Sequence, residues 1–176
     1  GDLLAAQVGA LTATQLGALT TTQLNTFDTV DFSSFTAAQV ASLTVTQVGG
    51  LQTADLQVLS TSAIGALNAT QIKALTATQV GNLEDTQVLA LTSTQLGNLT
   101  VTQIKGLEVT DLASLATTQL GRLTTSQIAA LTTSQVVALT TAQIQALTNT
   151  QVTAFTSAQF GSMETVDLNE IGRAHV

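Results

Sequence analysis

Apolar and polar positions recur along this chain with a period of eight residues. A large apolar residue fills one phase from Leu3 through Leu11, Leu19 and Phe27 to Ile171, and a second stands five positions later, at Val8, Leu16, Leu24, Phe32 and Val40. Between them runs a Gln phase, from Gln7, Gln15 and Gln23 to Gln151 and Gln159, with Asp31, Asp55, Asp111, Asp167 and Ala63 as its exceptions. The consensus is L-T-x-T-Q-[VIL]-x-A, carried through 21 octads without insertion or deletion. Loops ordinarily tolerate changes of length. A register that never slips gives every residue of the octad a place in a stacked unit.

Three backbones can be weighed against this period. A continuous α-helix turns about 100° per residue, so the Leu stripe would drift about 80° per octad and never form a seam. A coiled coil fails for the same reason, since its seam needs a period near 3.5 or 3.67. A β-solenoid keeps each Leu on one face, because eight is even, and Thr, Val and Ile favour strands. It would, however, send the two apolar residues of an octad to opposite faces, and the interleaved Ala and Gly are poor strand formers.

The third backbone is a chain of very short helices, restarted every octad. Thr12 and Gln15 form the S/T-x-x-Q capping box, in which the Thr hydroxyl accepts from the third helical N–H and the Gln reaches back to the cap N–H. Leu11 before the cap and Leu16 at the fourth helical position form the hydrophobic staple. The same spacing recurs at Thr76 and Gln79, Thr92 and Gln95, and Thr140 and Gln143. The Thr phase trades with Ser60, Asn68 and Asp28, the usual N-cap residues, and never with Val or Ile. The expected fold is therefore all-α: a solenoid of about 21 very short helices, one per octad, with a β-solenoid as the alternative. The solenoid is expected over residues 1–171, with 172–176 as a tail. No isolated helix of this length persists, so the octads must stack about a shared apolar axis. Gly9, Gly17, Gly49, Gly81 and Gly97 near the helix ends are expected to let the chain turn and let neighbours approach.

Composition narrows the chemistry. The 176 residues carry 4 Lys and Arg against 11 Asp and Glu, with 3% aromatics and no Cys, Trp or Pro. Nucleic-acid binding needs a basic surface and usually stacking aromatics, so none is expected. Thiolate metal sites and disulfides have no residues to form them. No apolar run is long enough to span a bilayer, so no membrane insertion is expected. The chain begins at Gly1 in mid-octad, and we read it as a piece of something longer.

Few residues offer reactive chemistry. His175 stands in G-R-A-H-V without a metal-spaced partner, and no Gly-rich phosphate loop exists. No cofactor is expected, and the uniform repeat offers no convergent cleft, so the expectation is a non-enzymatic protein. Asp28 with Asp31, and Glu108 with Asp111, present carboxylates of the kind that bind calcium, but no Asp-x-Asp-x-Asp-Gly loop accompanies them. A capping role next to solvent accounts for them. The acidic octads at Gln52–Leu56, Glu108–Leu112 and Glu164–Leu168 lie 56 residues apart, as a longer duplication or a superhelical period would place them. All five Phe lie in two groups, Phe27, Phe32 and Phe35, then Phe155 and Phe160, read as larger plugs in a wider core or, less simply, as a pocket. Pairs such as Thr12 and Thr14, or Thr100 and Thr102, resemble the T-x-T arrays of ice-binding proteins, although the first Thr of each pair is committed to a cap.

Repeats such as Leu131–Leu139 (L-T-T-S-Q-V-V-A-L) and Leu139–Leu147 (L-T-T-A-Q-I-Q-A-L) resemble octapeptide arrays of large secreted bacterial proteins of the adhesion and haem-utilisation type. That resemblance implies an extracellular or cell-surface location and a structural role as spacer or adhesive stalk. No haem ligand of such proteins maps onto these residues. The alternatives are an ice- or polymer-binding surface, or a self-associating filament subunit.

Overall fold

The computed structural model describes residues 5–174, and within them every regular element is helical, with no strand. The β-solenoid is thereby excluded. The chain divides into two compact units, Gly1–Leu91 and Thr92–Val176. The first holds α1 (Ala5–Gly9), α2 (Ala13–Ala18), α3 (Thr21–Leu24), α4 (Thr29–Ser33), α5 (Ala37–Ser42) and α6 (Val45–Gly49). It continues with α7 (Thr53–Gln57), α8 (Thr61–Gly65), α9 (Ala69–Ala74), α10 (Ala77–Gly81) and α11 (Asp85–Ala90). The second opens with α12 (Ser93–Asn98), α13 (Val101–Gly106), α14 (Val109–Ser114), α15 (Thr117–Leu120) and α16 (Thr125–Ala130). It ends with α17 (Thr133–Val137), α18 (Thr141–Gln145), α19 (Asn149–Val152), α20 (Ser157–Ser162) and α21 (Thr165–Ala174). The last helix carries the chain through residue 171 without a break.

Each helix stops for a local reason. The Leu that ends an octad takes an extended conformation, and so does the Thr that follows it. Leu43 sits at φ −61°, ψ 142° and Thr44 at φ −70°, ψ 158°. Two extended residues in succession break the helical hydrogen-bond ladder and turn the chain before the next helix begins. No described residue has positive φ, glycine included. The glycines are therefore not needed for the turns, contrary to the expectation above.

Within each unit a helix packs on the third helix along the chain. In the first unit α2 packs on α5 and α5 on α8, while α3 packs on α6 and α6 on α9. In the second, α12 packs on α15, α15 on α18 and α18 on α21, and α13 on α16. Three octads thus make one superhelical turn in each unit. Seven octads are not a whole number of such turns, so the 56-residue spacing of the acidic octads is not the superhelical period.

The core follows from the octad. The residue after Gln is innermost: Leu16, Leu24, Val48, Ile72, Leu96, Ile104 and Ile128 have no exposed surface. The Leu at the helix end closes the layer, as at Leu75, Leu107 and Leu139. Each fully buried aliphatic contributes roughly 1.5–3 kcal/mol relative to exposure. Phe27, Phe32 and Phe35 form one aromatic cluster in the first unit, with Phe32 and Phe35 ring centres 5.0 Å apart. Phe155 and Phe160 meet edge to face at 5.7 Å in the second. Phe32, Phe35 and Phe155 are buried in the core, and the half-buried Phe27 and Phe160 pack on them at its margin.

Glycine matters where turns meet. A Cβ on Gly49 would lie 2.9 Å from the carbonyl oxygen of Ala74, on α9 in the next turn, and one on Gly97 would lie 3.0 Å from that of Arg122. A Cβ on Gly161, inside α20, meets nothing within 4 Å. Gly49→Ala is therefore expected to destabilise by about 1–3 kcal/mol through overpacking. Gly161→Ala is expected to stabilise by about 0.5–1 kcal/mol, through helix propensity alone. Urea unfolding of the two variants checks the opposite signs; a stabilising Gly49→Ala contradicts the close approach.

Candidate functional site: glutamine corners and an open groove

The recurring polar site of this molecule is the corner where an octad begins. Thr12 N–H donates to Gln15 Oε1 at 2.8 Å, and Gln15 N–H donates to Thr12 Oγ1 at 3.3 Å. The corresponding pairs measure 2.7 and 3.1 Å at Thr76 and Gln79, 2.8 and 3.2 Å at Thr92 and Gln95, and 2.8 and 3.3 Å at Thr140 and Gln143. The Gln half of the arrangement persists where Thr is missing. Glu84 and Ala116 donate their backbone N–H groups to Gln87 and Gln119 at 3.0 and 2.9 Å.

The other end of the Gln side chain ties one turn to the one before. Gln79 Nε2 donates to the carbonyls of Val48 and Leu51, 31 and 28 residues earlier, at 3.2 and 2.8 Å. Gln143 Nε2 donates to Leu112, Ala113 and Leu115 at 2.9, 3.3 and 2.8 Å, and Gln135 Nε2 to Ile104 and Leu107 at 3.0 and 2.8 Å. These acceptors lie at or just past helix ends. Those of Val48, Ile104 and Leu112 already accept from the N–H of Leu51, Leu107 and Leu115 at 3.3 Å, and the Gln nitrogen adds a second donor to them. One carboxamide therefore satisfies the start of its own helix with its oxygen and the end of an earlier helix with its nitrogen. Gln79, Gln135 and Gln143 are buried. Gln15 and Gln23, whose acceptors at that spacing would precede residue 1, are exposed.

The carbonyl contacts were missed in the sequence, although a signal for them is present. A capping box accepts Glu as readily as Gln at its third helical position. Across the 21 octads this phase holds Gln, Asp or Ala and never Glu. The predominance of Gln over Glu, the other capping-box residue of the same length, fits use of the N–H₂ donor that Glu lacks, although Asp and Ala63 do without it.

The acids of this phase are not solvent-facing caps. Asp55 and Asp111 are buried, at 3% and 2% exposure. Asp31 keeps the capping role, with the Asp28 N–H donating to its carboxylate at 3.2 Å. Burial, and secondarily the nearby Asp28 carboxylate, push the Asp55 carboxyl above the usual carboxylate range. Lys73, Lys105, Arg122 and Arg173 are exposed, and His175 lies outside the described residues. Among the described residues no three His, Asp or Glu side chains converge as a metal cluster, and no helix is long and apolar enough to cross a membrane.

A second feature is an open groove of about 460 Å³ in the second unit, lined by Ser93, Thr94, Thr117, Thr118, Gly121 and Arg122 among others. Ser93 Oγ donates to the Thr118 carbonyl at 3.4 Å across it. Hydroxyls and one guanidinium supply hydrogen bonds there and no nucleophile paired with a base.

Compared with known proteins, the chain matches the family model of the ALTTAQ repeat at residues 48–85 and 104–141. No curated protein matches it. The two matched stretches begin 56 residues apart, the spacing of the acidic octads, and one lies in each compact unit. The motif itself stands letter for letter at Ala138–Gln143. Over these two stretches the chain is similar to the ALTTAQ repeat, and it is a repeat-array protein.

Proposed function

We propose that this chain is a non-enzymatic spacer or adhesive stalk of a bacterial protein displayed at the cell surface or secreted. The observation that carries the reading is the Gln ladder. Bonds from one turn to the previous one recur at constant spacing, so the chain's chemistry is spent on holding its own turns together. In such an array each unit contacts only its neighbours, and length is added by repetition without redesigning the fold. The exposed residues of the octad are mostly small and uncharged, with scattered aliphatics such as Val45, Leu89 and Val101 among them, and they present a weakly charged surface to water or to a partner. The T-x-T alternative is disfavoured, because the first hydroxyl of such pairs is engaged at the cap, as in Thr12 and Thr100.

Surface shaving tests the placement. Intact cells of the source organism are treated with protease, and the released peptides are probed with antibody raised against this chain. Release from intact cells is the expected result. Signal that appears only after lysis refutes the surface location. Beads coated with the full chain then separate the two roles: retention on cells or polysaccharide identifies an adhesive stalk, and its absence a spacer.

A further inference from the structure

We propose that Asp55 and the backbone carbonyls facing it bind one hard, oxygen-coordinated cation of calcium type. The argument starts from what Gln does at this position in other octads. Gln39 Nε2 donates to the carbonyls of Val8, Gly9 and Leu11, and Gln87 Nε2 to those of Leu56, Gln57 and Leu59. The acceptors lie 31, 30 and 28 residues earlier in each case. The same register sets the carbonyls of Leu24, Asn25 and Phe27 opposite Asp55. A carboxylate has no proton to give them. Where a donor belongs, the first unit has placed a negative charge against a ring of oxygens.

The structure bears the marks of that mismatch. Asp55 Oδ2 is buried and has no hydrogen-bond partner. Asn25 Oδ1 is likewise buried without a partner, while the Asn25 Nδ2 group donates to Gly50 O at 2.9 Å, just before α7 begins. Asp28 lies close enough for its charge to bear on Asp55. Every unsatisfied atom at this junction is thus an oxygen. Of the elements packed against α7, α4 carries Asp31 and is capped by Asp28, whose charge bears on Asp55, and α10 on the other side carries no charged residue.

An all-oxygen site with a net negative charge is what a hard cation requires. Calcium accepts carboxylate, side-chain amide and backbone carbonyl oxygens in a flexible shell of roughly six to eight, at about 2.3–2.6 Å. Asp is one methylene shorter than Glu. It leaves room for an ion between carboxylate and carbonyls, at the place the carboxamide nitrogen takes elsewhere. Magnesium, which demands near-octahedral geometry and holds its water, fits such an irregular carbonyl cradle poorly.

The test uses the full chain and calcium alone as probe. Thermal unfolding by circular dichroism is run at pH 7 in EDTA and in millimolar calcium, with magnesium as comparison, for wild type, Asp55→Gln and Asp55→Asn. Calcium at about a hundredfold excess over its dissociation constant is expected to raise the wild-type midpoint by about 5 °C. Asp55→Gln restores the consensus donor, so it should fold, exceed wild type in EDTA, and lose that calcium increment. Calorimetric titration is expected to show one calcium fewer per chain in both variants. A wild-type midpoint equal in EDTA and calcium overturns the proposal. So does a calcium response that Asp55→Gln leaves intact, which assigns binding to other acids. A midpoint that climbs as pH falls, with no calcium response, also overturns it and gives the site to a bare proton.

Discussion

Replacing Gln135 with alanine is expected to lower the unfolding free energy by about 2–4 kcal/mol, well above the loss of a cap alone. The substitution removes the acceptor for the Thr132 N–H at 2.9 Å and the donor to the Ile104 and Leu107 carbonyls at 3.0 and 2.8 Å. The Thr132 N–H and the Leu107 carbonyl are left to find partners in a buried corner, while the Ile104 carbonyl keeps the Leu107 N–H at 3.3 Å. Each such orphan costs about 1–3 kcal/mol. Gln135→Glu sharpens the test. It keeps the shape and the cap acceptor, yet sets a carboxylate against two carbonyls. Its folded pKa is then raised above the unfolded value. The native state therefore binds the extra proton first, and stability is recovered as pH falls through that folded pKa. Urea melts at pH 7 and pH 4 read both effects. Hydrogen exchange at Thr132 locates the damage. A loss below about 1 kcal/mol for alanine reduces the corner to an ordinary cap.

Phe32→Ala is expected to cost about 3–5 kcal/mol, the range for a fully buried aromatic truncated to alanine. Phe32 has no exposed surface, and its ring lies 5.0 Å from that of Phe35 and 6.4 Å from that of Phe27. Apart from Phe160, this phase is elsewhere filled by Val, Leu or Ile, so the cluster spreads a locally larger core over three rings. Phe32→Leu, the consensus choice, is expected to cost about 1 kcal/mol, because volume is better conserved. Equilibrium denaturation separates the two. Should alanine prove as mild as leucine, the rings are dispensable and the core reading of this cluster is wrong.

The helices were legible in the sequence because their causes are local. Thr12 with Gln15 fixes a start, Leu11 with Leu16 fixes the entering chain, and both sit inside one octad. The stack was legible only in outline. An eight-residue repeat is consistent with any number of octads per turn, so nothing in it states that α5 packs on α2 and α8. The partners of the Gln nitrogen depend on that number and were invisible for the same reason. The carbonyls of Leu16 and Leu19 lie 31 and 28 residues before Gln47, a spacing that exists only once three helices complete a turn. The preference for Gln over Glu in this phase was the readable trace of those bonds. The acids misled because Asp is a good cap near solvent, and solvent is what the stacked turns remove from Asp55 and Asp111. The glycines misled in a simpler way: the extended Leu–Thr pair turns the chain, and Gly49 and Gly97 serve contact between layers.

At the buried corners the Gln nitrogen reaches toward residues that a ribosome has already released. Gln159 bonds to Ile128 and Leu131, Gln127 to Leu96 and Leu99, and Gln71 to Val40 and Leu43, always toward the amino terminus. A newly emerged octad finds its acceptors in place and supplies, with its own trailing carbonyls, the landing point for one still to be translated. Order of synthesis and order of docking coincide. Such a chain can lengthen over evolutionary time by appending octads at its growing end, each addition folding onto a finished edge.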